Sequence, residues 1–372
     1  MKKLVLTAAL LLSLAALFSC RRTVYVPRPT IDLVWQIVSD TASRRQVAAT
    51  AGSWGPSGSI AIFGEPSDAM ALGQHLASVD VVDNVDARTE RDSIPDFAGE
   101  VIDIIMDSYN APYSHFLDSG QEGLDSLRAL AVEGAMYAWD STSLGRSSDR
   151  TVRLFKNRAK ILVFTSPLQA RWGLFDADTL QQLAGGRCHL LSPSKLMLGQ
   201  AMQSGPAAIV VWTSALVSGA GVYDSVFEEL EHEGSSLKVM VPEAAFDIRT
   251  ELRNLLRQAR ADGISSLDVL VIDSFAADPG QLESEIRMIR REGTEEDLAF
   301  SRMLSPSFRI LTPAASVARE IYGLMRSENL FAHRIARPAT HYFETDESDD
   351  GEIVIVELGA RYVRSAYVPD FD

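Results

Sequence analysis

Residues 269–293, VLVIDSFAADPGQLESEIRMIRREG, contain one complete strand and helix unit and decide the fold class. The run from Val269 to Ile272 is apolar at every position, which is typical of a strand buried on both faces of a parallel sheet. Asp278 and Pro279 then provide a helix cap and a first helical turn. The apolar stripe that follows predicts a helix that ends before Gly293.

Short apolar runs of this kind recur along the chain, and most are separated by segments long enough for one helix. Such alternation indicates βαβ units, whose parallel sheets are covered by helices on both faces. The segment 92–140 is predicted to hold two or three helices. We predict an α/β protein of two lobes, each a doubly wound parallel sheet, joined by a hinge. The predicted strands are residues 60–63, 79–82, 161–164, 189–191, 208–212, 237–241, 269–272, 308–311 and 353–358.

A chain of 372 residues has the length of about two domains of ~150–200 residues each. The polar stretch 141–150 is the best candidate for the crossover between lobes. This gives a first lobe of residues 55–150, a second lobe of residues 151–305 and a return segment of residues 306–372. Near the end, the acidic loop 345–351 between two alternating runs predicts an antiparallel hairpin. A calcium loop is the alternative, although the spacing of its carboxylates does not fit one.

The charge composition excludes one broad class of partner. Lys and Arg total 35 against 50 Asp and Glu, a net charge of −15. Since affinity for phosphate backbones needs clustered positive charge, no nucleic-acid partner is predicted. Two cysteines are too few for a disulfide framework.

The N-terminus carries the features of a cleaved secretory signal. Lys2 and Lys3 precede an apolar run from Leu4 to Phe18, which is shorter than the ~20 residues of a membrane-spanning helix. The tetrapeptide Leu17-Phe18-Ser19-Cys20 resembles the lipobox of bacterial lipoproteins. A short buried N-terminal helix with a core cysteine is the alternative interpretation.

The lipoprotein resemblance implies a location and an anchor. Residues 1–19 would be removed as a signal peptide, Cys20 would carry lipid, and residues 20–54 would form the anchor and tether to the membrane. Arginine at position 21 implies the outer membrane, with the protein facing the periplasm. The second cysteine, Cys188, is then a lone thiol, which we expect to be buried and unreactive.

The familiar catalytic and cofactor motifs are absent from the sequence. There is no GxSxG, GxxxxGK[ST] or HExxH, and the six histidines include no pair spaced four apart. Gly219 and Gly221 follow a predicted strand but lack the third glycine of a dinucleotide fingerprint. We therefore predict neither a cofactor nor a metal site, and no catalytic residue.

Polar side chains follow almost every predicted strand. In open α/β sheets ligands bind outside the carboxyl ends of the strands, so these groups are candidates for a polar cleft between the lobes. Capping of the following helices is the alternative role for each of them. Arg171 is included because its guanidinium can pair with a carboxylate or phosphate. The predicted ligand-binding residues are Glu65, Asp68, Asp83, Asn84, Ser166, Arg171, Ser192, Thr213, Ser214, Glu243, Asp273 and Ser274.

A lipobox, a tether, two predicted βα lobes and the absence of catalytic motifs together resemble a lipid-anchored periplasmic binding protein of type I. This resemblance is architectural and spans about residues 55–345. It implies that a small polar solute binds between the lobes without catalysis and that closure of a hinge buries it. The predicted partners are this small molecule, the membrane through the lipid anchor, and an envelope protein.

Two other functions stay open at this stage. The first is an envelope enzyme on the same α/β scaffold, with cleft carboxylates as acid, base or metal ligands. The second is an envelope scaffold with no small-molecule ligand. The carboxylates concerned in the enzyme hypothesis are Glu65, Asp68, Asp83, Asp86, Glu243 and Asp273.

Overall fold

The computed structural model describes nine stretches of the chain, and all but its first described residue fall in one compact unit that begins at Ile31. They are residues 30–51, 55–82, 88–147, 150–230, 235–241, 247–291, 293–332, 336–348 and 350–358.

Strands and helices alternate over most of these residues. A 3-10 helix spans Tyr113–Ser119. The strands are β1 (Ser59–Gly64), β2 (Val101–Met106), β3 (Thr142–Ser147), β4 (Arg150–Phe155), β5 (Ala159–Phe164), β6 (His189–Leu191), β7 (Ala208–Trp212), β8 (Ser236–Met240), β9 (Leu267–Ile272), β10 (Leu304–Leu311), β11 (Ala339–Glu347) and β12 (Ile353–Glu357). The helices are α1 (Asp32–Ser39), α2 (Thr41–Ala51), α3 (Pro66–Ser78), α4 (Gly120–Trp139), α5 (Pro167–Ala184), α6 (Pro193–Met202), α7 (Ala215–Gly219), α8 (Val222–Glu229), α9 (Ile248–Ala261), α10 (Pro279–Arg291), α11 (Glu295–Met303) and α12 (Pro313–Ser327).

The first sheet has the strand order β4-β3-β12-β11-β2-β1-β5-β6. The pairs β3–β4 and β11–β12 are antiparallel, and the other neighbours are parallel. The predicted hairpin near the end of the chain is thus confirmed as β11 and β12. The second sheet has the order β10-β9-β7-β8 and is parallel throughout.

An α/β fold with mostly parallel sheets is therefore confirmed. In each sheet the chain places its second strand on one side of the first and then crosses to the other side, which is the doubly wound order. The strands β1, β5, β7 and β9 at these crossings are mostly apolar and almost entirely buried, as expected for strands covered by helices on both faces.

Residues 79–82 were predicted as a strand, and this prediction is wrong. Their backbone N–H groups instead donate hydrogen bonds to a side chain. The nitrogens of Val81 and Val82 both lie 3.0 Å from Oδ1 of Asp96. A carboxylate that takes two adjacent N–H groups holds a loop and competes with strand pairing.

The segment 92–140 contains a strand as well as helices. β2 lies within it, and its side chains from Ile102 to Met106 are buried. The polar stretch 141–150 forms β3 and leads into β4, so it pairs within the first sheet instead of joining two lobes. The two sheets consequently do not follow the predicted division after residue 150, because β5 pairs with β1, and β6 pairs with β5, in the first sheet.

The two sheets share an apolar core. Ile209 and Val211 of β7 pack in one buried cluster with Leu127 of α4 and Leu168 of α5, which are helices that cover the first sheet. Opening these sheets about a hinge would expose this cluster to water, at about 25 cal/mol per Å² of apolar surface. The structure thus shows a buried cluster between the sheets, and the hinge stays a prediction.

No helix in the described residues is both long enough and apolar enough to span a membrane.

Candidate functional site

The two sheets each have a topological switch point, where the chain direction across the sheet reverses. In the first sheet it lies between β1 and β5, and in the second between β7 and β9. Crevices at the carboxyl ends of such strands are the usual ligand sites of open α/β sheets. The first switch point carries Glu65 and Thr165, and the second carries Thr213 and Asp273.

A hydrogen-bond network holds the first switch point. The backbone N–H of Tyr113 donates to Oε1 of Glu65 over 2.9 Å, and the Tyr113 hydroxyl donates to Oδ2 of Asp107 over 2.8 Å. Thr345 of β11 donates to Oδ1 of the same aspartate over 2.7 Å. Asp107 and Tyr113 are fully buried, so these bonds hold the Glu65 carboxylate next to the exit of β1.

Gly64 permits a close approach between β1 and β5. A Cβ atom at this position would lie 2.1 Å from Oγ1 of Thr165. The Thr165 hydroxyl thus occupies the space that a side chain would need, and only glycine fits between β1 and the carboxylate that follows it.

The second switch point is held by Asp273. Oγ1 of Thr213 donates to its Oδ2 over 2.7 Å, and the Tyr223 ring of α8 is buried beside it. Burial raises the pKa of Asp273, and the hydrogen bond from Thr213 only partly offsets this effect.

The two switch points face each other. Asp68 lies in the first turn of α3, directly after β1, and it is close enough to Asp273 to feel its charge. Burial, with the negative charges of Glu65 and Asp273, raises the pKa of Asp68 from 3.8 to about 6. Phe275 brings the exit of β9 to this place, since it packs against the apolar cluster that contains the buried side of α3. Both aspartates remain partly exposed and thus accessible to a ligand.

Several buried polar atoms near these exits lack a hydrogen-bond partner among the described residues. Gln169, fully buried next to the Tyr113 hydroxyl, leaves its amide oxygen unpaired. Buried polar groups are normally paired, so such groups at a cleft are candidates to bind a ligand. The other unpaired oxygens are those of Thr165, Thr312 and Ser316.

The remaining predicted residues have other surroundings. Ser166 and Ser214 accept N–H groups of Gln169 and Val217 and so cap α5 and α7. Arg171 donates to Oγ of Ser225. The hydroxyl of Ser192 lies 3.0 Å from that of Ser194 at the edge strand β6, and Ser274 is exposed. Asp83, Asn84, Asp86, Glu243 and the lipidation site Cys20 lie outside the described residues.

Four residues of this region were not predicted from the sequence: Asp107, Tyr113, Gln169 and Tyr223. Asp107 follows β2, and the signal for this strand was the apolar run 101–106, which Asp103 interrupts. The other three are helical residues whose burial against the strand exits is a tertiary property. Their sequence positions carry no signal of it.

The described part of the chain has neither a reactive thiol nor a group of side chains arranged to bind a metal ion. Cys188 is buried, as predicted, and burial raises the pKa of its thiol to about 12. In the described residues no group of three or more His, Cys, Asp or Glu side chains is arranged to hold a metal ion.

Comparison with known proteins gives similarity to solved structures only. No protein-family model matches the chain, and no curated protein matches it. The glutamate racemase isoform RacE1 from Bacillus anthracis is 14% identical with a TM-score of 0.49, over 78% of this chain and 90% of that one. The glutamate racemase from Francisella tularensis in complex with D-glutamate is 9% identical with a TM-score of 0.47, over 80% and 91%. The aspartate racemase from Picrophilus torridus is 9% identical with a TM-score of 0.39, over 73% and 94%.

These comparisons correct the function predicted from the sequence. The similar structures are enzymes, glutamate and aspartate racemases, and not periplasmic binding proteins. The prediction of a type I binding protein that holds a solute without catalysis is therefore wrong, as is the leaning against an enzyme. At these identities and TM-scores, neither a substrate nor the role of any residue is carried over from them.

Proposed function

We propose that the protein is an enzyme that transfers protons to and from a small polar substrate held between the two switch points. The observation that supports this proposal is that Asp68 and Asp273, two partly exposed carboxylates at the exits of different sheets, lie close enough for the charge of Asp273 to raise the pKa of Asp68. Paired carboxylates with raised pKa values are a common arrangement for general acid and base catalysis.

The environment gives Asp68 a pKa suited to proton exchange. With a pKa of about 6, the carboxyl is mostly ionised at pH 7, but about a tenth of it stays protonated. It can therefore accept a proton from a substrate and return one without a large energetic penalty. Asp273, whose pKa is also raised, stands opposite as the second acid or base.

The surrounding residues position the reacting groups. Tyr113 holds Glu65 and Asp107, and Thr213 holds Asp273, so these carboxylates keep fixed orientations. Neutral hydrogen-bonding groups such as Gln169 are available to orient the substrate.

The experiment is a search for solvent hydrogen exchange in D2O, with a mixture of small polar metabolites that includes both enantiomers of glutamate and aspartate. Wild-type protein is expected to incorporate deuterium into, or convert, at least one compound. Asp68→Asn is expected to lower that rate by about 10²-fold or more. Asp262→Asn, which removes a carboxylate paired with Lys238, is the matched control and should keep the wild-type rate. A rate that is unchanged in Asp68→Asn, or no exchange with any compound, counts against the proposal.

We also propose that the protein is a lipid-anchored envelope protein, attached through Cys20 to the outer membrane and facing the periplasm. The basis is the order of basic residues, apolar run and lipobox-like Leu17-Phe18-Ser19-Cys20. Replacing Cys20 with alanine should prevent lipidation and release the protein from the membrane fraction. If Cys20→Ala protein stays in that fraction, the anchor lies elsewhere.

A further inference from the structure

The carboxylates around the two switch points have only neutral hydrogen-bond partners. The N–H and O–H groups that bind Glu65, Asp107 and Asp273 come from tyrosine, threonine and asparagine residues. Among the described residues, every ion pair involves other acidic side chains, so none of these three, nor Asp68, has a lysine, arginine or histidine partner.

The register of the sheets brings these acidic groups together. Gly64 is opposite Met106, so Glu65 and Asp107 follow neighbouring strand ends, about 5 Å apart. Asp68 is one helical turn further along α3. The packing of Phe275 against the cluster of α3 places Asp273 on the same side. A ligand in this space meets negative charge from both sheets.

A second observation, independent of the charge, points to a ligand at this place. Gln169 is fully buried next to the Tyr113 hydroxyl, and its amide oxygen has no partner among the described residues. The same holds for the hydroxyl of Thr165, which lies directly over Gly64. In the second sheet, Thr312 follows β10 next to Asp273, and its buried hydroxyl also lacks a partner. These neutral groups can bind hydroxyl or amide groups of a ligand.

We propose that the substrate is a small polar molecule that carries a protonated amine together with hydroxyl or amide groups, and that it carries no net negative charge. The amine is placed among Glu65, Asp68 and Asp273, where it supplies the positive charge that the described residues do not. The hydroxyl or amide groups of the substrate are placed next to Thr165, Gln169 and Thr312, where they can form hydrogen bonds. This inference rests on the proposed enzymatic site but concerns the charge of its ligand.

The test uses probes of matched shape and different charge. Glucosamine, glucose and glucuronate form one set, and ethanolamine, ethylene glycol and glycolate form a second, smaller set. Binding to the full-length protein is measured by isothermal titration calorimetry at pH 7. In at least one set we expect the amine to bind at least tenfold more tightly than its neutral partner, and the carboxylate to bind more weakly than both.

Two variants test whether the amine binds at this site and not at other acidic surfaces of the protein. Asp273→Asn and Asp68→Asn should each reduce the preference for the amine about tenfold or more, since each removes one charge next to it. Asp262→Asn removes a carboxylate from the opposite end of the second sheet and should leave the preference unchanged. Amines that bind no better than neutral probes in both sets, or a preference that survives both site variants, would overturn the inference.

Failure of this inference can be distinguished from failure of the proposed enzymatic function. Selective amine binding without turnover of any compound would support the substrate class and contradict the enzyme. Turnover of a neutral or anionic compound that needs Asp68 would support the enzyme and contradict the substrate class.

Discussion

Asp68 shows how the surroundings of one residue change its chemistry. An exposed aspartate in the first turn of a helix is ordinarily ionised and favourable there. In this protein the exits of two sheets enclose it, and the pKa of its carboxyl rises from 3.8 to about 6. The folded protein therefore binds a proton at pH values at which the unfolded chain has lost it.

This shift predicts a pH-dependent effect of Asp68→Asn on the free energy of unfolding. Between pH 3.8 and about 6 the folded state binds more protons, so wild-type stability falls as pH rises through this window. Asparagine has no proton to lose, and the variant should be more stable than wild type by about 1 kcal/mol above pH 7. This value is smaller than the free energy that corresponds to the whole pKa shift, because the side chain is partly exposed. Asparagine also lacks the negative charge that is favourable in the first turn of a helix.

Urea denaturation at pH 4.5 and pH 8 measures this effect. The difference between variant and wild type should be small at pH 4.5 and reach its full size at pH 8. A difference that is independent of pH would mean that position 68 acts through packing and not through its charge.

At the scale of elements, close approach of helices depends on particular glycines. α4 and α5 cross at Gly173, where an added Cβ would lie 2.3 Å from Cβ of Ala131 and 3.2 Å from Cα of Arg128. Both neighbours belong to the body of α4, so they cannot move aside without shifting the helix.

We therefore expect Gly173→Ala to destabilise the protein by about 1–3 kcal/mol through overpacking, despite the better helix propensity of alanine. Gly199 of α6 provides the matched control, because no atom lies within 4 Å of an added Cβ there. Gly199→Ala should stabilise the protein by about 0.5–1 kcal/mol. Chemical denaturation measures both variants, and equal effects would contradict this account of the α4–α5 contact.

Most strands with an apolar run were predictable from the sequence, including β8 and β10 with one basic residue each, whereas β2, β3 and β4 were missed. β1, β5, β7 and β9 have uninterrupted apolar runs and were found. β2 was missed because the buried Asp103 lies in its middle. Among the described residues the ion-pair partner of Asp103 is His341 of β11, more than 200 residues later. The hairpin of β3 and β4 is polar at an edge of the sheet, where strands carry little hydrophobic signal.

At the scale of the whole molecule, the shared apolar cluster joins the two sheets into one structure. Leu198 of α6 is fully buried there and packs in the same cluster as β7 and β9 of the second sheet. Neither sheet can lose this contact without exposing the other.

We predict that the two sheets unfold in one cooperative transition. Calorimetry of the wild-type protein should give equal calorimetric and van't Hoff enthalpies. Leu198→Ala should lower stability by about 2–5 kcal/mol and lower the transition temperature without splitting the transition. Two separate transitions, with only one moved by the substitution, would show that the sheets are independent.

The α/β class and most strand ends, including those that carry Glu65, Asp68 and Asp273, follow from the amino-acid order alone. Apolar runs, caps and breaking residues act over a few neighbours, so they can be recognised without coordinates. The strand order, the pairing of Asp68 with Asp273 and the apolar contact between the sheets arise only on folding. They depend on contacts between residues far apart in the chain, whose energy comes from packing and burial that no local pattern records.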